Sequence, residues 1–391
     1  IQVATGGGFG GRIDAMSDVC SRAAVLAALC RRPVKMVHDR TESMIGHVKR
    51  HAAVMRYKTG ASAGGRILAQ EITLYLDKGA YASIGPYIGP AGGVVTMATA
   101  YATGPYEIPN VKVDGYSVYT NNPIGGAMRG FGLPQVSFAS ECQMDEVAAA
   151  LGMDPLKIRR ENALRIGSRT ATGQVITHSA GLVEAIDHAA ERSDWEARRR
   201  EAAEVRGAGT RKRGIGLACA WHPCGTSRGT DHMGAHLYVN EEGRLVVAAG
   251  VSEMGQGART VLAQIAAEEL GLTMEDVVVN EPDTRVDAES GTTSGSRGTT
   301  IGGNAVIRAA RETREAIMEK ASELLGVHPS ELEIKEGLIA GRSGQGTIPF
   351  REVAKRLWAE GRRLVGHGWW KPPGISFDPE TGNGNPSHVY E

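Results

Sequence analysis

The chain has 391 residues, enough for more than one hydrophobic core, since domains usually comprise about 100 to 200 residues. Lys plus Arg and Asp plus Glu both number 44, so the formal charge is zero and no global field draws the chain to nucleic acid or to an anionic membrane. No apolar run approaches about 18 residues, and the first residues lack the basic and apolar regions of a signal peptide, so a cytoplasmic protein without a membrane partner is expected.

Ile1 opens within an apolar run, and a natural start upstream is expected. The pattern predicts a strand at 1–5, a helix over about 14–31 and a strand at 34–38. A hairpin follows, 53–59 with 67–76, turning through Ser62-Ala63-Gly64-Gly65. Strands near 111–119 lead to a helix over about 135–151. Asp154 then N-caps a short helix that has Pro155 at its first position.

Residues 182–206 read as helical and increasingly charged, and the basic stretch 206–213 reads as a solvated linker face. Beyond it come a strand at 215–220 and a hairpin, 235–239 with 245–249, turning at Asn240-Glu241-Glu242-Gly243. A helix over 258–270, a strand at 277–280 and a long helix over about 300–325 complete the reading. The expected class is α+β: two mixed α/β domains with glycine-rich loops leading into helices, at 1–181 and 214–391, joined by a charged helical linker at 182–213.

The cysteines are Cys20, Cys30, Cys142, Cys219 and Cys224, an odd number without a CxxC pair, which argues against a disulfide framework or an iron–sulfur site in this chain. Cys20 and Cys30 fall in an Ala-rich helical stretch and are expected in the core. Cys219 and Cys224 flank Trp221 and His222 at a spacing unlike zinc sites and are expected to be structural.

Glycine is the unusual residue, 52 in all, about 13% against a typical 7%. Four clusters share one design: Gly6-Gly7-Gly8-Phe9-Gly10-Gly11, Arg129-Gly130-Phe131-Gly132, Gly255-Gln256-Gly257, and the stretch from Gly291 to Gly303. Each precedes a helical run, where free N–H groups and partial positive charge meet backbone without Cβ. Four such ends suggest one large, polar, phosphate-bearing cofactor. The competing reading is a dinucleotide fingerprint, Gly6-x-Gly8-x-x-Gly11. Against it, Asp39 lies 28 residues beyond Gly11 instead of about 20, and the later strands form hairpins rather than βαβ units. An NAD-dependent dehydrogenase is therefore disfavoured.

The segments TGGGFGGR, AMRGFGLPQ, EMGQG and SGTTSGSRGTTIGGNA, in this order, resemble the large-subunit sequences of the xanthine dehydrogenase family of molybdenum hydroxylases. The stretches KTGA, GAYAS, GPY, VYTNNP and TATGQV resemble bacterial members acting on nitrogen heterocycles such as nicotinate or purines. The resemblance implies a molybdenum–molybdopterin cofactor in its cytosine dinucleotide form, a hydroxylation that takes its oxygen from water, and 2Fe-2S clusters and FAD on partner subunits. It also implies roles for residues. The Phe9 backbone, given room by Gly8 and Gly10, would approach an oxygen ligand of molybdenum; Arg129 would lie beside the metal and stabilise developing negative charge; Phe131 would line the substrate pocket. Met254, Gly255 and Gln256 would contact the pterin and its phosphate, with Gly295, Ser296, Gly298 and Thr299 on the other side. The plainer readings are a surface salt bridge for Arg129 and a helix N-cap for Thr299.

The sequence also departs from the family. Ile13 stands where purine-oxidising relatives carry a substrate-binding Glu, and Met97 stands near the place of a second substrate-binding Arg. The general-base Glu, expected in a GxGE-type segment, has no counterpart in this chain, and Glu391 is not assigned that role. A second molybdenum subunit or a further C-terminal region is expected to supply it. An aldehyde oxidoreductase of the same family and a non-catalytic scaffold subunit are the alternatives.

Overall fold

The computed structural model describes residues 3–84, 93–204, 210, 212–225, 231–362, 364–378 and 380–386. Contacts divide the chain into two units, one comprising Phe9–Pro223, Ser227–Gly229 and Gly374–Glu391, the other Ile1–Gly8, Cys224–Thr226 and Thr230–Pro373.

The unit built on Phe9–Pro223 opens with helices α1 (Arg12–Cys30) and α2 (Arg40–Gly46). Strands β1 (Ala53–Ala61) and β2 (Ile67–Gly79) form the expected antiparallel hairpin, with Ala53 opposite Leu76. Strand β3 (Asn110–Tyr119) joins β2 in parallel, which demands a crossover, and α3 (Val94–Ala100) lies in it. Along β2, Ile72, Leu74 and Leu76 alternate inward and pack with Val94, Ala98 and Val136. Val136 belongs to α4 (Leu133–Leu151), whose far end sends Met144 and Ala148 into a neighbouring cluster with Ile67, Tyr106 and Ile158. Each of the Val, Leu, Ile and Met side chains among these, when fully buried, contributes roughly 1.5–3 kcal/mol.

Helix α5 (Pro155–Asn162) is capped as expected by Asp154, whose carboxylate accepts from the Leu156 N–H at 2.8 Å. Helices α6 (Leu182–Arg192) and α7 (Trp195–Glu204) bury Ile186 and Trp195, and the Trp195 indole donates to Asp154 at 3.2 Å. The core also holds a charge network. Arg159, fully buried, pairs with Glu141 at 2.7 Å and with Asp145 at 2.8 Å, and Glu141 also accepts from the Tyr106 hydroxyl and the Cys219 N–H.

The other unit has a four-stranded sheet of β4 (Met233–Val239), β5 (Leu245–Ala248), β6 (Val277–Val279) and β10 (Val365–Trp370), in the order β10-β4-β5-β6. Helices α8 (Ala258–Leu270) and α9 (Gly303–Leu325) cover one face with an apolar core of Met233, Leu237, Val247, Leu262, Ile301 and Val306. Strand β10 and α9 approach so closely that a Cβ at Gly368 would stand 1.7 Å from the Ala305 carbonyl oxygen, so only glycine fits. A three-stranded sheet of β7 (Leu332–Lys335), β8 (Leu338–Gly341) and β9 (Thr347–Pro349), with α10 (Phe350–Ala359), packs a further cluster around Phe350 and Leu357. Strands β11 (Ser376–Phe377) and β12 (Gly384–Asn385) pair in the unit of Phe9–Pro223.

The class is α+β, as the pattern predicts, but three expected strands do not appear among the described residues. Residues 3–5 carry no strand, while Ile1 and Gln2 lie outside the described residues. Residues 34–38 are irregular, and the chain instead enters α2 through a capping box in which the Asp39 carboxylate accepts from the Glu42 N–H and the Glu42 carboxylate from the Asp39 N–H. Apolar character at 215–220 likewise finds no ladder partner. Cys20 and Cys30 are exposed, contrary to expectation, because none of the described residues of α1 is buried within this chain. Cys219 and Cys224 are buried. Most of the basic stretch 206–213, Gly85-Pro86-Tyr87 and Glu391 lie outside the described residues. Among those described, no helix is long and apolar enough to cross a membrane.

Candidate functional site

In the unit of Phe9–Pro223, two Gly-Phe-Gly turns repeat the same device. Phe9 and Phe131 have φ of 50° and 46°, in the left-handed region that side chains rarely occupy. Each costs backbone strain, and such strain persists where surrounding structure enforces it, often at ligand sites. The enforcing contact is direct: the Arg129 N–H donates to the Phe9 carbonyl at 2.8 Å. Gly10 allows this approach, because a Cβ there would stand 3.2 Å from the Met128 backbone and its φ is 79°.

The Arg129 carbonyl is held in turn by the Arg50 guanidinium at 2.6 Å, and burial lowers the Arg50 pKa. The Arg129 side chain is exposed and makes no ion pair among the described residues, so the salt-bridge alternative finds no partner. Phe131 packs against the buried cluster of Met97, Tyr101 and Leu133, as does Trp221, whose ring meets Tyr101 edge-on at 5.0 Å. Met97 and Phe131 thus share one apolar cluster. Ile13 stands apart, 45% exposed at the start of α1, its N–H donating to the Gly10 carbonyl.

In the other unit, a Cβ at Gly8 would lie 3.3 Å from the Met254 sulfur, so this backbone and the Met254 loop are neighbours. Gly255 and Gly257 have φ of 100° and 80° and turn the chain into α8, with open space where their side chains would stand. Gln256 ties its own loop together, accepting from the Met254 N–H at 2.6 Å and donating to the Ser252 carbonyl at 2.7 Å. Gly295 and Ser296 are left-handed in succession, with φ of 62° and 57°, and a single π-helical turn, Gly298–Gly302, precedes α9. Thr299 lies inside that turn, four residues before the α-helix, and no side chain caps either segment; its reading as an N-cap is therefore corrected.

Arg297 and Glu253, which sequence reasoning missed, and Cys224, which it expected to be structural, organise these loops. Arg297, buried, pairs with buried Asp231 at 2.7 Å and donates to the Ser290, Thr292 and His232 carbonyls, pinning the Gly291–Gly303 segment from inside. Cys224 adds a thiol hydrogen bond to the Ser296 carbonyl at 3.2 Å. Glu253 binds the backbone of its own loop: its carboxylate accepts from the N–H groups of Gly255 at 2.7 Å, Gly257 at 3.1 Å and Arg259 at 3.3 Å. Burial, the largest single influence, raises its pKa, but the backbone donors together outweigh it and hold the carboxyl below its ordinary value. An acid beside a Gly-rich helix start was the available signal for Glu253; for Arg297 no sequence signal separated a buried arginine from a surface one.

These loops suit a polar organic group. Gly255, Gln256, Ser296 and Thr299 are exposed, two glycines leave room above their backbone, and amide and hydroxyl groups are the available donors and acceptors. No group of three or more metal-ligating side chains occurs among the described residues.

Comparison with known proteins agrees. The family described as molybdopterin cofactor-binding domain matches in two parts, over residues 1–163 and 188–391. The nicotinate dehydrogenase large molybdopterin subunit of Eubacterium barkeri is 49% identical over 193 residues, 49% of this chain and 44% of that protein. The xanthine dehydrogenase molybdenum-binding subunit of Escherichia coli is 34% identical over 342 residues, 87% of this chain and 44% of that protein. Among solved structures, quinoline 2-oxidoreductase from Pseudomonas putida superimposes with a TM-score of 0.80 at 27% identity, covering 95% of this chain and 49% of that one. The chain thus spans about half the length or less of these relatives. With both cofactor-binding matches, the glycine loops and the fold in agreement, the chain belongs to the xanthine dehydrogenase family of molybdopterin-binding proteins.

Proposed function

We propose that this chain is the molybdopterin-binding part of a hydroxylase that oxidises a nitrogen heterocycle, of nicotinate or purine type, with oxygen taken from water. The observation that carries the reading is the pair of strained Gly-Phe-Gly turns tied by the Arg129 to Phe9 hydrogen bond, which sets on a fixed backbone an exposed arginine side chain with no ion pair among the described residues. The relatives named for nicotinate and xanthine support the substrate class. The two family matches support two cofactor-binding domains, which we place at 1–181 and 214–391 on either side of a linker at 182–213 that carries α6 and α7.

When bound, a molybdenum–molybdopterin group, in our reading the cytosine dinucleotide form, supplies the redox chemistry. The chain supplies position and charge. Gly8, Gly10 and the Phe9 backbone give a close approach on one side. Met254, Gly255, Gln256, Gly295, Ser296, Gly298 and Thr299 hold the organic part through amides and hydroxyls. The exposed Arg129 guanidinium, carried on a backbone held at both its N–H and its carbonyl, would stabilise negative charge that develops in the transition state. Met97 and Phe131 offer apolar contact to the ring of the substrate, and Ile13 replaces an acidic contact with an apolar one.

Proton abstraction needs a general base, which we assign to a Glu outside this sequence, on a second molybdenum subunit or a further region of the polypeptide. Electron transfer is assigned to an iron–sulfur subunit and an FAD subunit. Metal analysis of the purified complex tests the core of the reading: molybdenum near one per chain supports it, and a metal-free complex would favour a scaffold. Turnover in isotopically labelled water tests the chemistry, with label expected in the product.

A further inference from the structure

The start of α8 has the features of an anion site: open glycine backbone, left-handed turns at Gly255 and Gly257, and free helical N–H groups. In this structure those donors already have an anion. The Glu253 carboxylate spans the loop, taking the Gly255 and Gly257 N–H groups on one oxygen and the Arg259 N–H on the other. The Arg259 side chain turns away, paired with Glu281 at 2.8 Å and bonded to the Val279 carbonyl. A second anion here would face a fixed carboxylate and amides already in use.

We infer that Glu253 is a positioning residue that pre-forms the Met254-Gly255-Gln256 loop, and that by filling the α8 start it directs this loop to an uncharged edge of the cofactor rather than to its phosphate, narrowing the contact with pterin and phosphate that the family resemblance implies. Three charge-assisted backbone bonds fix two left-handed glycines that would otherwise sample many conformations. The loop is then rigid before the ligand arrives, which lowers the ordering cost of binding. Of the two cofactor loops in this unit, the stretch from Gly295 to Thr299 has no acid within it and is left to take the phosphate. The inference rests on the cofactor reading under Proposed function, and its test is built to stand apart from that reading.

The full chain, in wild-type form and as Glu253→Gln and Glu253→Ala, is followed by amide hydrogen exchange and by glycine-selective NMR under titration with inorganic phosphate. In the wild type, the Gly255 and Gly257 amides are expected to be protected and unmoved by phosphate. In Glu253→Ala their exchange should rise at least tenfold while α9 and β4 keep their protection, and phosphate should shift the same amides. Glu253→Gln, which retains one acceptor oxygen, should restore part of the protection. Unchanged exchange in Glu253→Ala, or phosphate shifts at these amides in the wild type, would overturn the inference. Pterin and molybdenum retained per chain form a separate measure, expected to fall in Glu253→Ala. A wild-type chain that holds neither defeats the cofactor reading but leaves the exchange result to judge the clamp.

Discussion

The Phe9 carbonyl accepts a 2.8 Å hydrogen bond from the Arg129 N–H, joining two Gly-Phe-Gly turns that lie 120 residues apart in sequence. Because Arg50 holds the Arg129 carbonyl at 2.6 Å, the peptide groups on both sides of the Arg129 Cα are fixed while the side chain is exposed. Arg129→Ala therefore removes charge without disturbing backbone or core. Turnover of the assembled enzyme is expected to fall by about 10²–10³-fold, as for loss of one preorganised electrostatic group. Molybdenum content and the thermal midpoint should stay at wild-type values. Wild-type turnover at full molybdenum content would remove Arg129 from the site.

Gly10→Ala tests the approach of the two turns. The added Cβ would stand 3.2 Å from the Met128 Cα and N, and the φ of 79° is strained for any residue with a side chain. We expect a loss of about 1–3 kcal/mol in stability, read from chemical denaturation, together with reduced cofactor retention. Gly6→Ala is the control, since a Cβ there meets nothing within 4 Å. Equal effects from the two substitutions would show that Gly10 serves no special contact.

The sequence was most legible where periodicity and turn chemistry acted together. The β1–β2 hairpin, the Asp154 cap with Pro155, and helix α8 all follow from local rules, and their residues satisfy those rules in the structure. Residues 34–38 failed because alternation alone does not make a strand without a neighbour, whereas the capping box of Asp39 and Glu42 is complete within four residues. Cys20 and Cys30 failed for a related reason: an apolar helix predicts burial but not against what, and α1 buries no described residue here. Glycine placed the loops, while the charged residues that fix them, Arg297 with Asp231 and Arg50 at Arg129, act across 66 and 79 residues and leave no local mark.

The Glu141–Arg159 pair gives a stability prediction. Arg159 is fully buried and spends its guanidinium on Glu141, Asp145 and two carbonyls, while Glu141 also holds the Tyr106 hydroxyl and the Cys219 N–H. Burial, the largest single influence, opposes the charge on Arg159, yet Glu141, with help from Tyr106 and Asp145, outweighs it and raises the pKa above its ordinary value. Glu141→Ala leaves an arginine charge in the core without its main partner, at an expected loss of about 3–5 kcal/mol. Replacing both partners, Glu141→Leu with Arg159→Met, should recover most of that loss because no charge remains stranded. Urea denaturation of the single and double variants measures both, and a double variant less stable than Glu141→Ala would contradict the argument.

His51 supplies the pH dependence. It is 3% exposed, neither ring nitrogen has a hydrogen-bond partner among the described residues, and burial lowers its pKa, with Asp77 pulling the other way. The folded protein therefore holds His51 neutral. The unfolded chain binds its proton near pH 6.5, so the unfolded state carries more protons as the solution is acidified below that value. Stability from this residue is complete above pH 6.5 and is lost progressively as the pH falls toward the depressed folded value. His51→Gln cannot take up the proton in either state, so its stability should decline less between pH 7 and 5 than that of the wild type, whatever the two values are at pH 7. Parallel wild-type and His51→Gln curves across that window would mean that His51 protonates equally in both states, and that its buried ring is reached by water in the folded protein.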